Sequence, residues 1–134
     1  MFITLANSSA AVTVHENLGN GSFPVLPRYE VASLSDAVES ADIDNDGDID
    51  IVVNGEVDIA SIDPLLKILK NNGNGTFAPA IDYTPARNFA DMKLRDINGD
   101  GFVDLIFAPD GNSPPYHFGY GVESTATEHS LRLL

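Results

Sequence analysis

Hydrophobic and polar residues alternate over short stretches of this 134-residue chain. Residues 37–43 and 91–97 show rough alternation, which is typical of strands with one buried face. Residues 49–53 and 103–107 are β-branched or aromatic runs of strand length. The pattern therefore predicts an all-β protein built from short antiparallel strands.

Two motifs occur twice, and both copies are separated by the same offset of 54 residues. Residues 17–23 read NLGNGSF and residues 71–77 read NNGNGTF. Residues 42–50 read DIDNDGDID and residues 96–104 read DINGDGFVD. The first motif contains Asn-Gly, a strong hairpin signal because both residues tolerate positive φ. A period of 54 suits a unit of four short strands.

Residues 63–70, DPLLKILK, are compatible with two structures. Asp63 followed by Pro64 resembles the start of a short amphipathic helix. The segment nevertheless leads directly into the Asn-Gly hairpin of the second unit, where the repeat calls for a strand. Because tertiary context often overrides intrinsic propensity, we expect a strand here.

Composition narrows the possible functions. The chain has 7 Lys and Arg against 20 Asp and Glu, a net charge of −13, which would repel nucleic-acid phosphates and anionic lipids. A hydrophobic content of 43% fits one soluble domain, and the absence of cysteine excludes disulfides and thiol chemistry. The apolar runs are too short to span a bilayer, and the first residues lack the features of a signal peptide.

Eight of the 20 acidic residues fall in two nine-residue loops, residues 42–50 and 96–104. Oxygen ligands at positions 1, 3 and 5 can surround one hard cation, the glycine at position 6 permits a sharp turn, and a main-chain carbonyl at position 7 adds a ligand. A carboxylate at position 9 then closes the shell. Such oxygens, without nearby Cys or His, favour calcium over zinc or copper. The predicted ligands are Asp42, Asp44, Asp46, Asp48 (main chain), Asp50, Asp96, Asn98, Asp100, Phe102 (main chain) and Asp104.

An EF-hand does not explain these loops. That motif requires a glutamate at position 12 and flanking helices, but position 12 is Val53 in one loop and Phe107 in the other. Clusters of Asp, Asn and Gly also form ordinary turns, but two copies in register favour a metal site. The first loop has four candidate carboxylates and the second has three plus an amide, so charge alone predicts tighter calcium binding in the first.

Loops of the form DxDxDGxxD, followed by a hydrophobic strand and then NNGNGTF, resemble the FG-GAP/VCBS repeats. These repeats build the β-propellers of integrin α-chain heads and of many secreted bacterial proteins, and the resemblance covers about residues 1–110. It implies that each calcium loop joins the innermost strand of a blade to the second strand. The implied strands are Ala37–Ile43 and Phe89–Ile97 (innermost), Asp48–Asn54 and Phe102–Ala108 (second), Leu65–Asn71 (third) and Thr76–Thr84 (outer).

The expected architecture is one partial propeller domain over residues 1–134, with about 2.5–3 four-stranded antiparallel blades. Its units are about residues 1–30, 31–84 and 85–134. The first unit begins at a second strand, and the repeat fades after residue 110. An open arc exposes strand edges and apolar flanks, so we expect self-association or neighbouring blades to close the propeller.

The resemblance implies a non-catalytic calcium-binding module with about two calcium sites, an extracellular or cell-surface location, and adhesion to or recognition of a protein or glycan. The alternatives are the propeller part of a polysaccharide-acting enzyme or a structural fragment of a larger propeller. No G-x-S-x-G elbow or other catalytic arrangement is evident in the sequence. Tyr116, Phe118 and Tyr120 could stack on a sugar, although alternating aromatics more often belong to a core.

Overall fold

A computed structural model gives the fold of this protein. It describes residues 2–6, 11–31, 34–58, 61–83, 89–109 and 121–124. Over these residues all the regular structure is β, which confirms the all-β prediction, and no helix is long and apolar enough to cross a membrane. The strands are β1 (Phe2–Ala6), β2 (Ala11–His15), β3 (Val25–Glu30), β4 (Leu34–Ala41), β5 (Asp50–Asp58), β6 (Ser61–Leu69), β7 (Ile81–Tyr83), β8 (Phe89–Arg95), β9 (Asp104–Pro109) and β10 (Gly121–Ser124).

The strands form three antiparallel sheets that follow one another along the chain. The central sheet has four strands in the order β4-β5-β6-β7, and the flanking sheets have the orders β1-β2-β3 and β8-β9-β10. Every pair consists of strands that are consecutive in the chain, as in the blade of a propeller. The predicted propeller blades are confirmed, and the three sheets do not close a ring.

Strand pairing repeats with the same offset as the sequence. Val38 of β4 pairs with Val53 of β5, and Met92 of β8 pairs with Phe107 of β9, both members being displaced by 54. The irregularity between residues 35 and 37 of β4 recurs between residues 89 and 91 of β8. The sequence repeat is therefore accompanied by a repeat of strand register and of the position of the irregularity.

The structural repeat continues where the sequence repeat fades. Ile51 of β5 pairs with Leu69 of β6, and 54 residues later Leu105 of β9 pairs with Glu123 of β10. Strand β10 thus occupies the third-strand position of its sheet, although no hairpin motif follows it in the sequence. Backbone hydrogen bonding tolerates this divergence because it does not depend on side-chain identity.

The acidic loops shift the expected strand boundaries. Strand β4 ends at Ala41, two residues before the expected end, because Asp42 already belongs to the turn. Strands β5 and β9 begin at Asp50 and Asp104, two residues later than expected, because loop positions 7 and 8 stay in the turn. Residues 63–69 of the segment with two possible structures lie in β6, so the strand prediction there is confirmed, and Lys70 follows the strand.

The third and outer strands of the central sheet also differ in extent from the prediction. Strand β6 begins four residues before Leu65 and ends at Leu69. The outer strand β7 is short, because Thr76 belongs to the hairpin and Pro79 lacks an N–H for ladder bonding. Asn71 and Phe77 form an isolated antiparallel bridge that closes the hairpin.

The central sheet is covered on both faces. Alternate residues of a strand point to opposite faces, so β5 contributes Ile51 and Val53 to one core and Val52 to the other. The first core, between the first and central sheets, contains Val12, Val14, Val31, Ile51, Val53, Leu69 and Phe77. The second core, between the central and third sheets, contains Ile43, Val52, Leu66, Ile68, Met92 and Leu105.

Candidate metal centre

The first acidic loop, residues 42–50, connects β4 to β5 and curls around its first carboxylate. Asp42 Oδ1 accepts a hydrogen bond from the Asp46 N–H at 3.1 Å, and Asp42 Oδ2 accepts one from the Gly47 N–H at 3.0 Å. Gly47 has φ +95°, a conformation that favours glycine. The sharp turn at position 6 thus brings later loop residues back towards position 1.

Three carboxylates of this loop converge. Asp42, Asp44 and Asp50 each offer an oxygen, and these oxygens all lie within 4.8 Å of one another. Two oxygens that bind one calcium ion at about 2.4 Å are at most about 4.8 Å apart, so the spacing fits such an ion. Over the described residues this is the one group of at least three His, Cys, Asp or Glu side chains with such spacing.

The other two acidic residues of the first loop lie outside this group. Asp46 Oδ1 accepts the Asp48 N–H at 2.9 Å and so supports the turn. The side chain of Asp48 extends to the NNGNG hairpin, where a Cβ added to Gly73 would be only 2.7 Å from Asp48 Oδ2. This placement agrees with a main-chain rather than a side-chain role for Asp48 at position 7.

Asp50, the first residue of β5, is fully buried and bonds both to the start of its own loop and to the segment that follows β6. Its Oδ2 accepts the Ile43 N–H at 3.2 Å, and its Oδ1 accepts the Asn71 N–H at 2.8 Å. Burial raises the pKa of Asp50, while the two N–H donors oppose that rise. Each oxygen keeps a second lone pair, so Asp50 is still able to ligate a cation.

A lysine that the sequence analysis did not identify also belongs to this site. Lys70 Nζ lies 2.8 Å from Asp44 Oδ2, and both side chains are partly buried. The hydrogen bond from Lys70 lowers the pKa of Asp44. No motif spacing marks Lys70, since it lies 26 residues from Asp44 and meets it only through the pairing of β5 with β6.

The second acidic loop, residues 96–104, reproduces most of these contacts. Asp96 Oδ2 accepts the Gly101 N–H at 2.9 Å, and Asp104 Oδ2 accepts the Ile97 N–H at 3.0 Å, each 54 residues after its counterpart in the first loop. Asp100 Oδ1 likewise accepts the Phe102 N–H at 2.9 Å. The two loops therefore share one turn geometry.

Asn98 and Asp100 lie in contact within the second loop. The Asp100 N–H donates to Asn98 Oδ1 at 2.8 Å, and Asn98 Nδ2 donates to Asp100 Oδ2 at 3.0 Å. The amide at position 3 therefore bonds to position 5, whereas the carboxylate at position 3 of the first loop pairs with a lysine. Position 3 thus has a different environment in each loop.

Asp104 carries an unsatisfied oxygen. The residue is fully buried, and its Oδ1 has no hydrogen-bond partner among the described residues. In the first loop the corresponding oxygen of Asp50 accepts the Asn71 N–H. A buried carboxylate oxygen requires either a donor or a cation, because leaving it bare is costly. The donor chemistry of the second loop therefore also fits a cation.

The two acidic loops contact each other directly. Asn45 Nδ2 donates to the Gly101 carbonyl oxygen at 3.1 Å. Asn45 has φ +58°, a left-handed conformation that asparagine tolerates better than most residues. A side chain of one loop thus joins the turn of the next, and the two candidate sites lie side by side on neighbouring sheets.

Antiparallel sheets of consecutive strands, with an acidic turn between the first two strands of the central and third sheets, define a β-propeller-type module. Residues 2–53, which include the first acidic loop, match the family model described as FG-GAP-like repeat. This part of the chain is therefore similar to FG-GAP-like repeats. Searches among curated proteins and solved structures give no significant match. The aromatic residues 116–120 lie outside the described part of the chain.

Proposed function

We propose that this protein is a calcium-stabilised, non-catalytic binding module with two calcium sites. The observation that carries the proposal is the convergence of Asp42, Asp44 and Asp50 within 4.8 Å. The first site would use Asp42, Asp44, Asp46, Asp50 and the Asp48 carbonyl. The second would use Asp96, Asn98, Asp100, Asp104 and the Phe102 carbonyl.

Calcium would have a structural role at these sites. Asp50, at the start of β5, already bonds to Ile43 near the start of the loop and to Asn71 just after β6, so an ion bound to it would stabilise these three segments together. Two ions would also raise the net charge from −13 to about −9 and reduce repulsion between the carboxylates. The oxygen-rich donor set supports calcium over softer metals.

Thermal unfolding with and without calcium tests this proposal. At free calcium about 100 times the dissociation constant, each filled site should stabilise the fold by about 2.7 kcal/mol. The variants Asp42→Asn and Asp96→Asn should each lose roughly the stabilisation that one filled calcium site contributes. Glu30→Gln, which changes an exposed carboxylate outside both loops, is the control. If a chelator leaves the Tm of the calcium-loaded protein unchanged, the structural role is wrong.

We further propose that the module acts in adhesion or recognition at the cell surface or outside the cell, with a protein or glycan as ligand. The proposal is supported by the similarity to FG-GAP-like repeats and by the two candidate calcium sites. Calcium sites of low affinity are filled where the calcium concentration is millimolar, which is the case outside the cell. Immunodetection in surface, secreted and cytosolic fractions of the source cells tests the location. Detection in the cytosolic fraction alone would contradict it.

A further inference from the structure

A positive charge supplied by the chain itself lies on the candidate calcium cluster. Lys70 follows β6 directly, and its Nζ is 2.8 Å from Asp44 Oδ2. Asp44 is one of the three carboxylates that meet within 4.8 Å. The ammonium group therefore contacts one of the three carboxylates that a calcium ion at this loop would use.

This arrangement is specific to the first acidic loop. With the offset of 54, Lys70 corresponds to Glu16 in the first unit and to Ser124 in the third, and Asp44 corresponds to Asn98. The first acidic loop has a carboxylate at position 3, and in its sheet Lys70 directly follows the third strand, β6. The second acidic loop has an amide at position 3, and in its sheet the position that corresponds to Lys70 holds Ser124. The lysine thus accompanies the extra carboxylate and is not a feature of the repeat.

An ammonium group at this place has two opposing effects. It reduces repulsion among the three carboxylates and so stabilises the loop when calcium is scarce. It also repels an incoming divalent cation and occupies one oxygen of a carboxylate that the cation would use. Calcium can bind fully to Asp44 only when the contact between Lys70 and Asp44 weakens or breaks.

We propose that Lys70 is a tethered competitor of calcium at the first acidic loop. This inference rests on the proposed calcium-binding function and deepens it. Lys70 makes the first loop a weaker calcium site than its four carboxylates would produce by charge alone, and it keeps the metal-free loop ordered. At the second loop the position that corresponds to Lys70 holds Ser124, so we expect the folding of that loop to depend more strongly on calcium.

Calorimetric titration of the full chain with calcium chloride tests the role of Lys70. An Asp96→Asn, Asp100→Asn background removes the second site, so that only the first loop titrates. In that background Lys70→Met should lower the dissociation constant by a factor on the order of five, as expected when an ion pair of ordinary surface strength no longer has to be broken. Lys70→Arg keeps the charge and should bind calcium nearly as the parent does.

A matched control separates a local effect from a general charge effect. Lys67→Met removes the same charge three residues earlier, in β6, where Lys67 pairs with Asp82 of β7 and not with an acidic loop. It should leave the dissociation constant nearly unchanged. In an Asp44→Asn variant, Lys70→Met should lose most of its effect, because the contact it removes is already absent.

Stability in chelator provides a second measurement that does not depend on calcium. In the presence of chelator, the Lys70→Met variant should unfold at a lower temperature than the natural sequence, because the three carboxylates lose their counter-charge. If neither loop of the natural sequence binds calcium, the proposed function and this inference both fall. If calcium binds but Lys70→Met does not bind it more tightly, or Lys67→Met tightens binding equally, this inference is overturned and the proposed function stands.

Discussion

Asp44 and Asp50 lie in the same loop but have opposite electrostatic environments. Asp44 is partly exposed and bonded to a lysine, which lowers its pKa. Asp50 is fully buried, and burial raises its pKa above the usual value of 3.8. The sequence shows two equivalent aspartates, and only the folded chain gives them different chemistry.

This difference predicts how stability depends on pH in the presence of chelator. The raised pKa of Asp50 favours the folded state at low pH, and that contribution is lost as pH rises through the range above 3.8. The contribution of Asp44 is present above 3.8 and is lost as pH falls below it. Carboxyl-carbon NMR titration should show Asp50 titrating at higher pH than Asp44. The reverse order would contradict this assignment.

Two glycines at equivalent repeat positions allow a matched test of the contact between Asp48 and the hairpin. Gly19 and Gly73 have φ of +75° and +74°, but only at Gly73 would a Cβ meet another atom within 4 Å, Asp48 Oδ2 at 2.7 Å. Gly19→Ala should cost about 1 kcal/mol of unfolding free energy from backbone strain alone. Gly73→Ala should cost more and should also weaken calcium binding at the first loop. Equal costs in urea unfolding, with calcium binding unchanged, would show that the contact is unimportant.

At the scale of the elements, one tyrosine joins the first sheet to the hairpin of the central sheet. The Tyr29 hydroxyl oxygen accepts the Phe77 N–H at 3.1 Å, and the two rings meet edge to face with centroids 5.3 Å apart. Tyr29 extends the first core, to which Phe77 belongs. This contact combines a hydrogen bond with aromatic packing across two sheets.

Removing only the hydroxyl group tests this link. Tyr29→Phe keeps the ring but leaves the partly buried Phe77 N–H without its acceptor, so we expect a loss of about 1 kcal/mol in unfolding free energy. Hydrogen exchange at the Phe77 amide should become faster. Tyr83→Phe, at the equivalent position of the next unit, should leave exchange at Phe77 unchanged. Unaltered exchange in Tyr29→Phe would contradict the bond.

At the scale of the whole molecule, equivalent side chains differ in exposure according to whether another sheet covers them. Phe77 is 8% exposed beside the first sheet, whereas its counterpart Phe23 is 51% exposed. Ile43 is 8% exposed beside the third sheet, whereas its counterpart Ile97 is 49% exposed. Within the described residues, these side chains are therefore buried where a neighbouring sheet lies beside them and exposed on the outer sheets.

These two exposed faces lead us to expect self-association of the isolated chain at micromolar concentration. Phe23→Ser and Ile97→Ser should each lower the mass measured by light scattering, because each removes apolar area from an uncovered face. Ile81→Ser is the control, since Ile81 is 53% exposed but belongs to the central sheet, which lies between the other two sheets and has neither of the two outer faces. A stable monomer of the natural sequence, or an equal effect of the control, would contradict this expectation.

The sequence by itself determined the repeat, the all-β class and the positions of the acidic turns. These features are local: alternation, Asn-Gly pairs and the spacing of Asp and Gly act within a few residues, and the offset of 54 can be counted directly. The strand over residues 63–70 was predictable only because the repeat outweighed a local helix signal.

Tertiary structure alone decided the contacts between distant segments. Lys70 reaches Asp44 because β5 pairs with β6, Asn45 reaches Gly101 because neighbouring sheets stack, and β10 adopts the third-strand register without a sequence repeat. The burial that separates Asp50 from Asp44 also arises only in the assembled sheets. Pairing and burial depend on residues far apart in the chain, so no local pattern encodes them.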